Sequence, residues 1–319
     1  MTDIPYSFSL AEYDKDEPLD IDWLGLWHVF LFGNDKGGSG KTSMTANFAL
    51  MLLRMLNGDA RVLTIDLNGQ GNLGIHEFGI DQDLRDEGKA LVESLSKGTP
   101  LKPVQVRPGL DLVVGGPELE EFTQAWYPLL RRKFDKNADL RLLQCLMPIA
   151  GDYDFILIDL PPENTVLQRQ GLACARWVVM PTKTDRGSLD GTKSIKKQFD
   201  EVRKVNPLLT MLGVILFATG RKNTQIHKKA EDHLREILKG GYFKFDTVIG
   251  HSEAVAAASR DDEHPLVELF DQYKKGSRTL PDTVVAVYTD YDKVTKEIVR
   301  RTQVLRQRME NPAGVGANA

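Results

Sequence analysis

A glycine-rich loop lies between an apolar run and an amphipathic stretch, and few folds accommodate this arrangement. Residues 28–33 (HVFLFG) form the apolar run, and residues 34–43 (NDKGGSGKTS) contain the loop. Residues 41–56 then carry apolar side chains at the three- and four-residue spacing of a helix. Glycines in this context let backbone N–H groups surround phosphate oxygens at the positive end of the helix. The sequence therefore predicts a phosphate-binding loop.

The loop residues also predict the contacts with a nucleotide. Lys41 is placed to reach its terminal phosphates, and the Thr42 hydroxyl is placed to bind Mg²⁺. Asp35 stands where the general form of this loop has its first glycine, and a second lysine, Lys36, follows it. The predicted nucleotide-binding residues are Lys36, Gly37, Gly38, Ser39, Gly40, Lys41, Thr42 and Ser43.

Apolar runs and amphipathic stretches alternate along the rest of the chain. Further runs cover residues 61–66, 110–114, 154–159, 176–180, 211–217 and 245–249. Helical spacing recurs in residues 84–96, 138–149, 188–204 and 224–239. This alternation is typical of parallel strands joined by crossover helices, and continuous apolar runs indicate strands buried on both faces. We predict an α/β fold with a doubly wound, mainly parallel sheet flanked by helices, as in P-loop NTPases.

The 319 residues are enough for one large core with extensions at both ends. Residues 1–26 are predicted to be an acidic N-terminal extension, and residues 27–280 a single nucleotide-binding domain. Residues 281–310 are predicted to form a C-terminal helix packed on the domain or extending it, and residues 311–319 a disordered tail.

Composition excludes several classes of function. Cys145 and Cys174 are the two cysteines of the chain and form no C-x-x-C pair, which argues against a disulfide framework or a cysteine metal site. No charged start precedes an apolar signal segment, so we expect a cytoplasmic protein. Acidic residues outnumber basic ones by nine up to Val179, and basic residues outnumber acidic ones by five from Met180 onward. Such asymmetry is one mark of a nucleic-acid face.

The motifs resemble those of the ParA/MinD group of P-loop ATPases, and most closely those of ParA partition proteins. The K-G-G-S-G-K-T loop is similar to the group's deviant Walker A, whose additional lysine corresponds to Lys36. Residues 66–72 (DLNGQGN) resemble the family segment D-L-D-P-Q-G-N, and residues 153–162 (YDFILIDLPP) resemble its Walker B segment. The likeness covers roughly residues 28–270.

This resemblance implies an ATP- and Mg²⁺-dependent switch in which two subunits pack face to face. Lys36 would reach the nucleotide of the other subunit, which couples dimer formation to nucleotide state. Asp66 corresponds to a family aspartate near Mg²⁺, and Asp159 would hold Mg²⁺ through water. The predicted metal-binding residues are therefore Thr42, Asp66 and Asp159.

Asn68 departs from the family pattern, because the family has there the aspartate that orients the attacking water. An amide can hydrogen-bond water but lacks the charge that assists proton transfer, so we expect slow or absent hydrolysis. The dipeptide Asn68-Gly69 also favours a turn. The predicted catalytic residues are Lys36, Lys41, Asp66 and Asn68.

A DNA-binding surface is predicted in the basic second half of the chain. Arg221 corresponds to a family arginine that helps to bind nonspecific DNA, whereas Asp200 falls where the family has a second such arginine. Basic residues on two predicted helices surround Arg221 and would form a phosphate-binding stripe if they share a face. The predicted DNA-binding residues are Arg221, Lys222, Lys193, Lys196, Lys197, Lys228 and Lys229.

The favoured function is an ATP-dependent dimerisation switch on nonspecific double-stranded DNA. It would segregate plasmid, phage or chromosome cargo with a ParB-like centromere-binding partner, on the nucleoid in the cytoplasm. A MinD-like membrane-positioning ATPase needs an amphipathic terminal helix, and polar residues interrupt the apolar face of the last predicted helix. A nucleotide-gated scaffold without hydrolysis stays open because of Asn68. A metal-cluster carrier would need paired cysteines, and a small-molecule ligase would need a substrate motif that we do not find.

Overall fold

The computed structural model describes residues 19–132, 137–239, 243–261, 263–275 and 281–310. The strands are β1 (Val29–Phe32), β2 (Val62–Asp66), β3 (Val104–Arg107), β4 (Leu110–Val113), β5 (Phe155–Asp159), β6 (Trp177–Thr182) and β7 (Thr210–Leu216). The first six helices are α1 (Lys41–Met55), α2 (Lys89–Lys97), α3 (Leu119–Glu121), α4 (Tyr127–Arg132), α5 (Arg141–Ala150) and α6 (Thr165–Cys174). The others are α7 (Arg186–Val202), α8 (Thr224–Leu238), α9 (Glu253–Asp261), α10 (Leu266–Lys275) and α11 (Asp282–Glu310). A short π-helical turn (Leu73–Glu77) follows β2.

The strands form one sheet in the order β3-β4-β2-β5-β1-β6-β7. All neighbouring pairs are parallel except β3 and β4, which are antiparallel at one edge. The strands between the two edges are apolar and buried, as crossover helices on both faces require. The predicted doubly wound, mainly parallel sheet is therefore confirmed.

Two apolar cores lie on opposite faces of the sheet. One contains Leu31, Ile65 and Ile158 from the strands together with side chains from α5 to α8. The other contains Phe30, Phe32 and side chains from α1, α10 and α11. Successive residues of β1 point into different cores, because side chains alternate across a strand.

The long helix α11 completes the second core. Its buried apolar side chains follow the spacing of one helical face and are Val284, Val287, Tyr291, Val294 and Ile298. The helix packs against α1 and α10. The predicted apolar face of this helix is thus covered by the domain. Among the described residues, no helix has the length and apolarity needed to cross a membrane.

The prediction of a strand over residues 245–249 is wrong. This segment runs beside β7 and makes two isolated bridges, Val214 with Lys244 and Thr219 with Gly250. A regular ladder does not form because the backbone N–H groups of Asp246 and Thr247 donate to the Glu297 carboxylate on α11. The sequence prediction also missed the short edge strand β3 and the helices α6, α9 and α10.

The predicted domain limits stay predictions. Residues 1–18 of the predicted acidic extension and the predicted tail 311–319 lie outside the described residues. Within the extension, Ile21 and Trp23 are partly buried against the first core.

Candidate active site

The phosphate loop joins β1 to α1 with a backbone that two glycines make possible. Gly38 and Gly40 have φ of +68° and +93°, in the region that favours glycine. A Cβ atom on Gly40 would lie 2.5 Å from the Phe217 ring, so the position excludes side chains. Helix α1 begins directly after Gly40 and has no side-chain cap. Its first N–H groups are thus available to an anion.

Lys41 and Thr42 lie at the base of this loop. The ammonium group of Lys41 is 3.0 Å from the main-chain oxygen of Lys36, and the residue is only 5% exposed. Burial lowers the pKa of Lys41. The Thr42 hydroxyl donates to Asp159 Oδ2 over 2.7 Å. An anionic phosphate near Lys41 would favour its charged form and would satisfy this partly desolvated cation.

Asp66 and Asp159 end two adjacent parallel strands in register with each other. Asp66 accepts hydrogen bonds from the backbone N–H groups of Asn68 and Leu73, over 2.8 and 3.0 Å. Burial, and then the charge of Asp159, raise the pKa of Asp66 to about 8. Burial also raises the pKa of Asp159 to about 6.

The donor set around Asp159 fits Mg²⁺. Asp159 Oδ1 is buried and has no partner among the described residues, while Oδ2 faces the Thr42 hydroxyl. Hard oxygen ligands of this kind suit Mg²⁺, which would also relieve the repulsion between Asp66 and Asp159. The structure brings together the three predicted metal residues.

Asn68 lies at the cavity, 8% exposed. Its side-chain oxygen accepts from the backbone N–H of Gln70 over 3.0 Å. This hydrogen bond is that of the turn expected from Asn68-Gly69. The amide therefore belongs both to the turn and to the wall of the cavity.

A cavity of about 850 Å³ opens at the carboxyl ends of the strands. The predicted residues that line it are Gly37, Gly38, Ser39, Gly40, Lys41, Thr42, Ser43 and Asn68. Asp66 and Asp159 are fully buried and do not line it. Lys36 is exposed and is not among the residues that line the cavity. The cavity thus unites the predicted nucleotide residues except Lys36.

Several lining residues were missed by the sequence prediction. Glu77 is buried, and its Oε1 accepts from the Ser43 hydroxyl over 2.6 Å. Burial raises the pKa of Glu77 to about 7. Lys183, His251 and Glu253 also line the cavity. The segments that contain Lys183 and Glu253 resemble family segments, but the sequence assigned no contact to either residue, because only the tertiary fold brings these loops and helix ends to the cavity.

The predicted DNA-binding residues separate into two groups. Helices α7 and α8 pack side by side, and they carry the exposed residues Lys193, Lys197, Lys228 and Lys229. Lys222 is exposed just before α8.

The other two predicted residues face carboxylates. The Arg221 guanidinium donates through Nε to Asp290 Oδ2 of α11 over 2.8 Å. Lys196 pairs with Asp200 within α7. Arg221 is therefore bound to the C-terminal helix α11.

The fold and this site define a P-loop nucleotide-binding protein with a place for Mg²⁺. Residues 28–211 match the family model AAA_31, described as an AAA domain. The chain belongs to this family and is a ParA-type P-loop ATPase. The resemblance drawn from the loop and the two acidic strand ends is confirmed, and ATP with Mg²⁺ is the cofactor pair of this class.

Known relatives agree with this assignment. The chain is 29% identical over 262 residues to the chromosome partitioning protein ParA of Myxococcus xanthus (strain DK1622), covering 80% of this chain and 85% of that protein. The solved structure of pnob8 ParA has a TM-score of 0.66 at 21% identity, covering 86% and 98% of the two chains.

A second solved structure shares the fold. It is the cobyrinic acid a,c-diamide synthase of Mycobacterium smegmatis with a bound ATP analog and magnesium, with a TM-score of 0.59 at 23% identity. The match covers 80% of this chain and 98% of that one. At such identities both structural likenesses bear on the fold alone.

Proposed function

We propose that the protein is an ATP-dependent dimerisation switch that binds nonspecific DNA and segregates a DNA cargo with a ParB-like partner. The observation that carries this proposal is the pair of lysines in the loop. Lys41 lies in the cavity, whereas Lys36 is exposed beside it. A cation outside its own nucleotide cavity has a use when a second subunit brings a second cavity to it.

The residues of one subunit would hold ATP and Mg²⁺ in distinct ways. Backbone N–H groups of the loop and the start of α1 would surround the phosphates, and Lys41 would neutralise their charge. Thr42 and Asp159 would position Mg²⁺, with Asp66 behind them. Bound Mg²⁺ supplies charge neutralisation on the phosphates.

Turnover would be slow because Asn68 cannot take a proton. Its oxygen already accepts from Gln70, which leaves its amide N–H₂ group to face water in the cavity. A slowly hydrolysing switch would keep its dimer for a long time, until a partner stimulates it or the nucleotide dissociates.

DNA would contact the lysines of α7 and α8. Five exposed predicted lysines line these helices and the loop before α8, namely Lys193, Lys197, Lys222, Lys228 and Lys229. A face-to-face dimer would double their number on one assembly, and phosphate contacts from lysines are sequence-independent. Arg221 would join them after release from Asp290.

The test measures binding of the purified protein to random-sequence duplex DNA with ATP, with ADP and without nucleotide, at two salt concentrations. We expect binding that needs ATP and weakens with salt. The variant Lys36→Ala should retain ATP binding but lose dimerisation and ATP-dependent DNA binding. The absence of DNA binding in every nucleotide state would overturn the proposal.

A matched pair of variants tests the DNA surface. Lys193→Glu with Lys197→Glu reverses two exposed charges on α7, and Lys293→Glu with Lys296→Glu does the same on α11. We expect the first pair alone to reduce DNA affinity by about 10-fold or more. Equal effects of the two pairs would count against this surface.

A second candidate function is a nucleotide-gated scaffold without hydrolysis, and Asn68 is the observation that favours it. The two candidates differ in phosphate release, which should be measurable and partner-stimulated for the switch and absent for the scaffold. A membrane-positioning role has less support, since the apolar face of α11 is buried against the domain.

A further inference from the structure

Lys183 lies beside the phosphate loop, although it comes from a distant part of the chain. Strand β1, which leads into the loop, is paired with β5 on one side and with β6 on the other. Asp159 ends β5, and Lys183 directly follows β6. Because parallel strands bring their carboxyl ends to the same edge of the sheet, these two residues flank the loop. Lys183 also lines the nucleotide cavity.

The ammonium group of Lys183 approaches the backbone of the phosphate loop. Lys183 Nζ is 3.7 Å from the position that a Cβ atom on Gly38 would occupy. Gly38 has a φ of +68° and belongs to the turn whose backbone N–H groups would surround phosphate oxygens. An anion held by this turn would therefore lie within reach of Lys183.

Hydrogen bonds hold the short segment between β6 and α7 that carries Lys183. The Thr182 hydroxyl is buried and donates to the main-chain oxygen of Ser188 over 3.1 Å. The Phe217 N–H donates to the main-chain oxygen of Thr182 over 2.8 Å, so β7 holds the same point. Since the backbone is already ordered, Lys183 would lose only side-chain freedom when it binds an anion.

Lys183 has no carboxylate partner in the part of the chain that the structure describes. Five other lysines form ion pairs there, and Lys183 is not one of them. Asp185 is the nearest acidic residue in sequence, but its carboxylate caps α7. It accepts from the Ser188 N–H over 2.9 Å and from the Ser188 hydroxyl over 2.7 Å.

The carboxyl groups that line the cavity are engaged elsewhere as well. Glu77 accepts from the Ser43 hydroxyl over 2.6 Å, and Glu253 Oε1 lies 3.4 Å from His251 Nε2. An anion in the phosphate loop would therefore be the partner that balances the charge of Lys183.

We propose that Lys183 binds the nucleotide of its own subunit at the phosphates that ATP and ADP share, and so slows nucleotide dissociation. A glycine loop of this kind surrounds the α and β phosphates, and Gly38 is the loop residue nearest to Lys183 Nζ. Lys41 would act at the base of the loop, and Mg²⁺ on the side of Asp159. Hydrogen bonds between a cation and phosphate are about twice as strong as neutral ones. The proposal rests on nucleotide binding by the ATPase and does not depend on DNA or a partner.

Two other roles fit Lys183 less well. Action on the nucleotide of a second subunit suits Lys36, which is exposed and does not line the cavity, whereas Lys183 lines the cavity of its own subunit. Binding of DNA suits the exposed lysines of α7 and α8. Lys183 precedes α7, and its ammonium group lies at the phosphate loop.

The test measures the dissociation rates of ATP and ADP that carry a methylanthraniloyl fluorophore, from the full chain with Mg²⁺. Lys183→Met keeps a long side chain and removes its charge. We expect both nucleotides to dissociate faster by about 10-fold or more, since hydrogen bonds to charged groups contribute about 1.5–3 kcal/mol. Lys183→Arg keeps the charge and should retain slow dissociation. Lys204→Met makes the same change at an exposed lysine beyond α7 and should leave both rates unchanged.

Inorganic tripolyphosphate shows which part of the nucleotide Lys183 binds, because it has phosphates but no nucleoside. Its competition against labelled ADP should weaken in Lys183→Met by a factor similar to the loss of ADP affinity. The Tm of this variant without nucleotide should equal that of the native chain, which separates a lost contact from a lost fold.

The proposal is overturned if Lys183→Met leaves both dissociation rates unchanged or accelerates that of ATP alone. Tripolyphosphate that competes equally well in the native chain and the variant would assign Lys183 to the nucleoside and would also overturn it. Failure of the native chain to bind either nucleotide would overturn the nucleotide site as a whole.

Discussion

At the scale of single residues, Asn68 is the departure with the clearest chemical consequence. Its side chain closes a turn through Gln70 and faces the cavity without a carboxylate. Asn68→Asp keeps the acceptor for Gln70 and adds a group that can polarise water. We expect ATP turnover to rise by about 10-fold or more, since general-base catalysis contributes about 10²–10⁴-fold. The rate of phosphate release, with and without DNA, measures this turnover.

The control for this prediction is ATP affinity, which should change little. Unchanged phosphate release in a variant that binds ATP normally would mean that the missing carboxylate does not limit hydrolysis. Gln70→Ala is a useful companion, because it alters the same turn but retains the backbone N–H that binds Asn68.

The paired carboxyls predict a pH effect in protein without nucleotide or metal. The folded-state pKa of Asp66 is about 8 and that of Asp159 about 6, both above the usual value of 3.8. Between pH 3.8, the usual pKa of an aspartate, and about pH 8, the folded state therefore binds more protons than the unfolded chain. The stability that these groups contribute is present below about pH 4 and is lost as pH rises through about 6 and 8.

The variant Asp159→Asn tests whether stability falls as pH rises. In EDTA, the variant should gain Tm over the native chain at about pH 8, by about 2 °C or more, and gain less at about pH 5. Exposed Asp81→Asn is the matched control and should show no such difference. Equal gains for Asp159→Asn at both pH values would contradict the prediction.

At the scale of elements, the connection between β1 and α1 depends on the conformation of Gly40. Its φ of +93° and its contact with Phe217 exclude a Cβ atom, whereas a Cβ on Gly37 would meet nothing within 4 Å. Gly40→Ala should lower the free energy of unfolding by about 2–4 kcal/mol, and Gly37→Ala by less than about 1 kcal/mol. Urea unfolding without nucleotide measures both. Similar losses of unfolding free energy in the two variants would show that the backbone conformation of Gly40 does not cause the destabilisation.

At the scale of the whole molecule, Asp290 links the C-terminal helix α11 to the backbone of Gly250 and to Arg221. Its carboxylate accepts from Arg221 and, over 2.9 Å, from the backbone N–H of Gly250. Asp290→Asn keeps an acceptor for Gly250 and removes the charge that holds Arg221. DNA affinity should therefore rise several-fold in the ATP state.

The matched control is the double variant Asp290→Asn with Arg221→Ala, which should lose the gain in DNA affinity. A gain that survives the loss of Arg221 would assign the effect to net charge alone. Asp290→Ala removes the acceptor for Gly250 as well and should destabilise the protein by about 1–3 kcal/mol, measured by thermal unfolding.

Predictions that rest on neighbouring residues succeeded in this molecule, whereas one that depended on a distant residue failed. Glycines, apolar runs and terminal acids are short-range features, and they predicted the loop, the buried strands and the meeting of Asp66 with Asp159. The predicted strand over 245–249 failed because Glu297, distant in sequence, binds the backbone N–H groups of Asp246 and Thr247.

Strand and helix periodicity and glycine geometry are local properties of the chain, and for this reason the class of fold and the nucleotide loop could be predicted from the sequence. The packing of separate elements is needed to show that Glu77 lines the cavity, that Arg221 is bound to Asp290, and that Arg176 and Arg306 each lie over a tryptophan ring. These contacts join residues from separate elements. Their pairing depends on how the elements pack, and packing is a property of the folded chain as a whole.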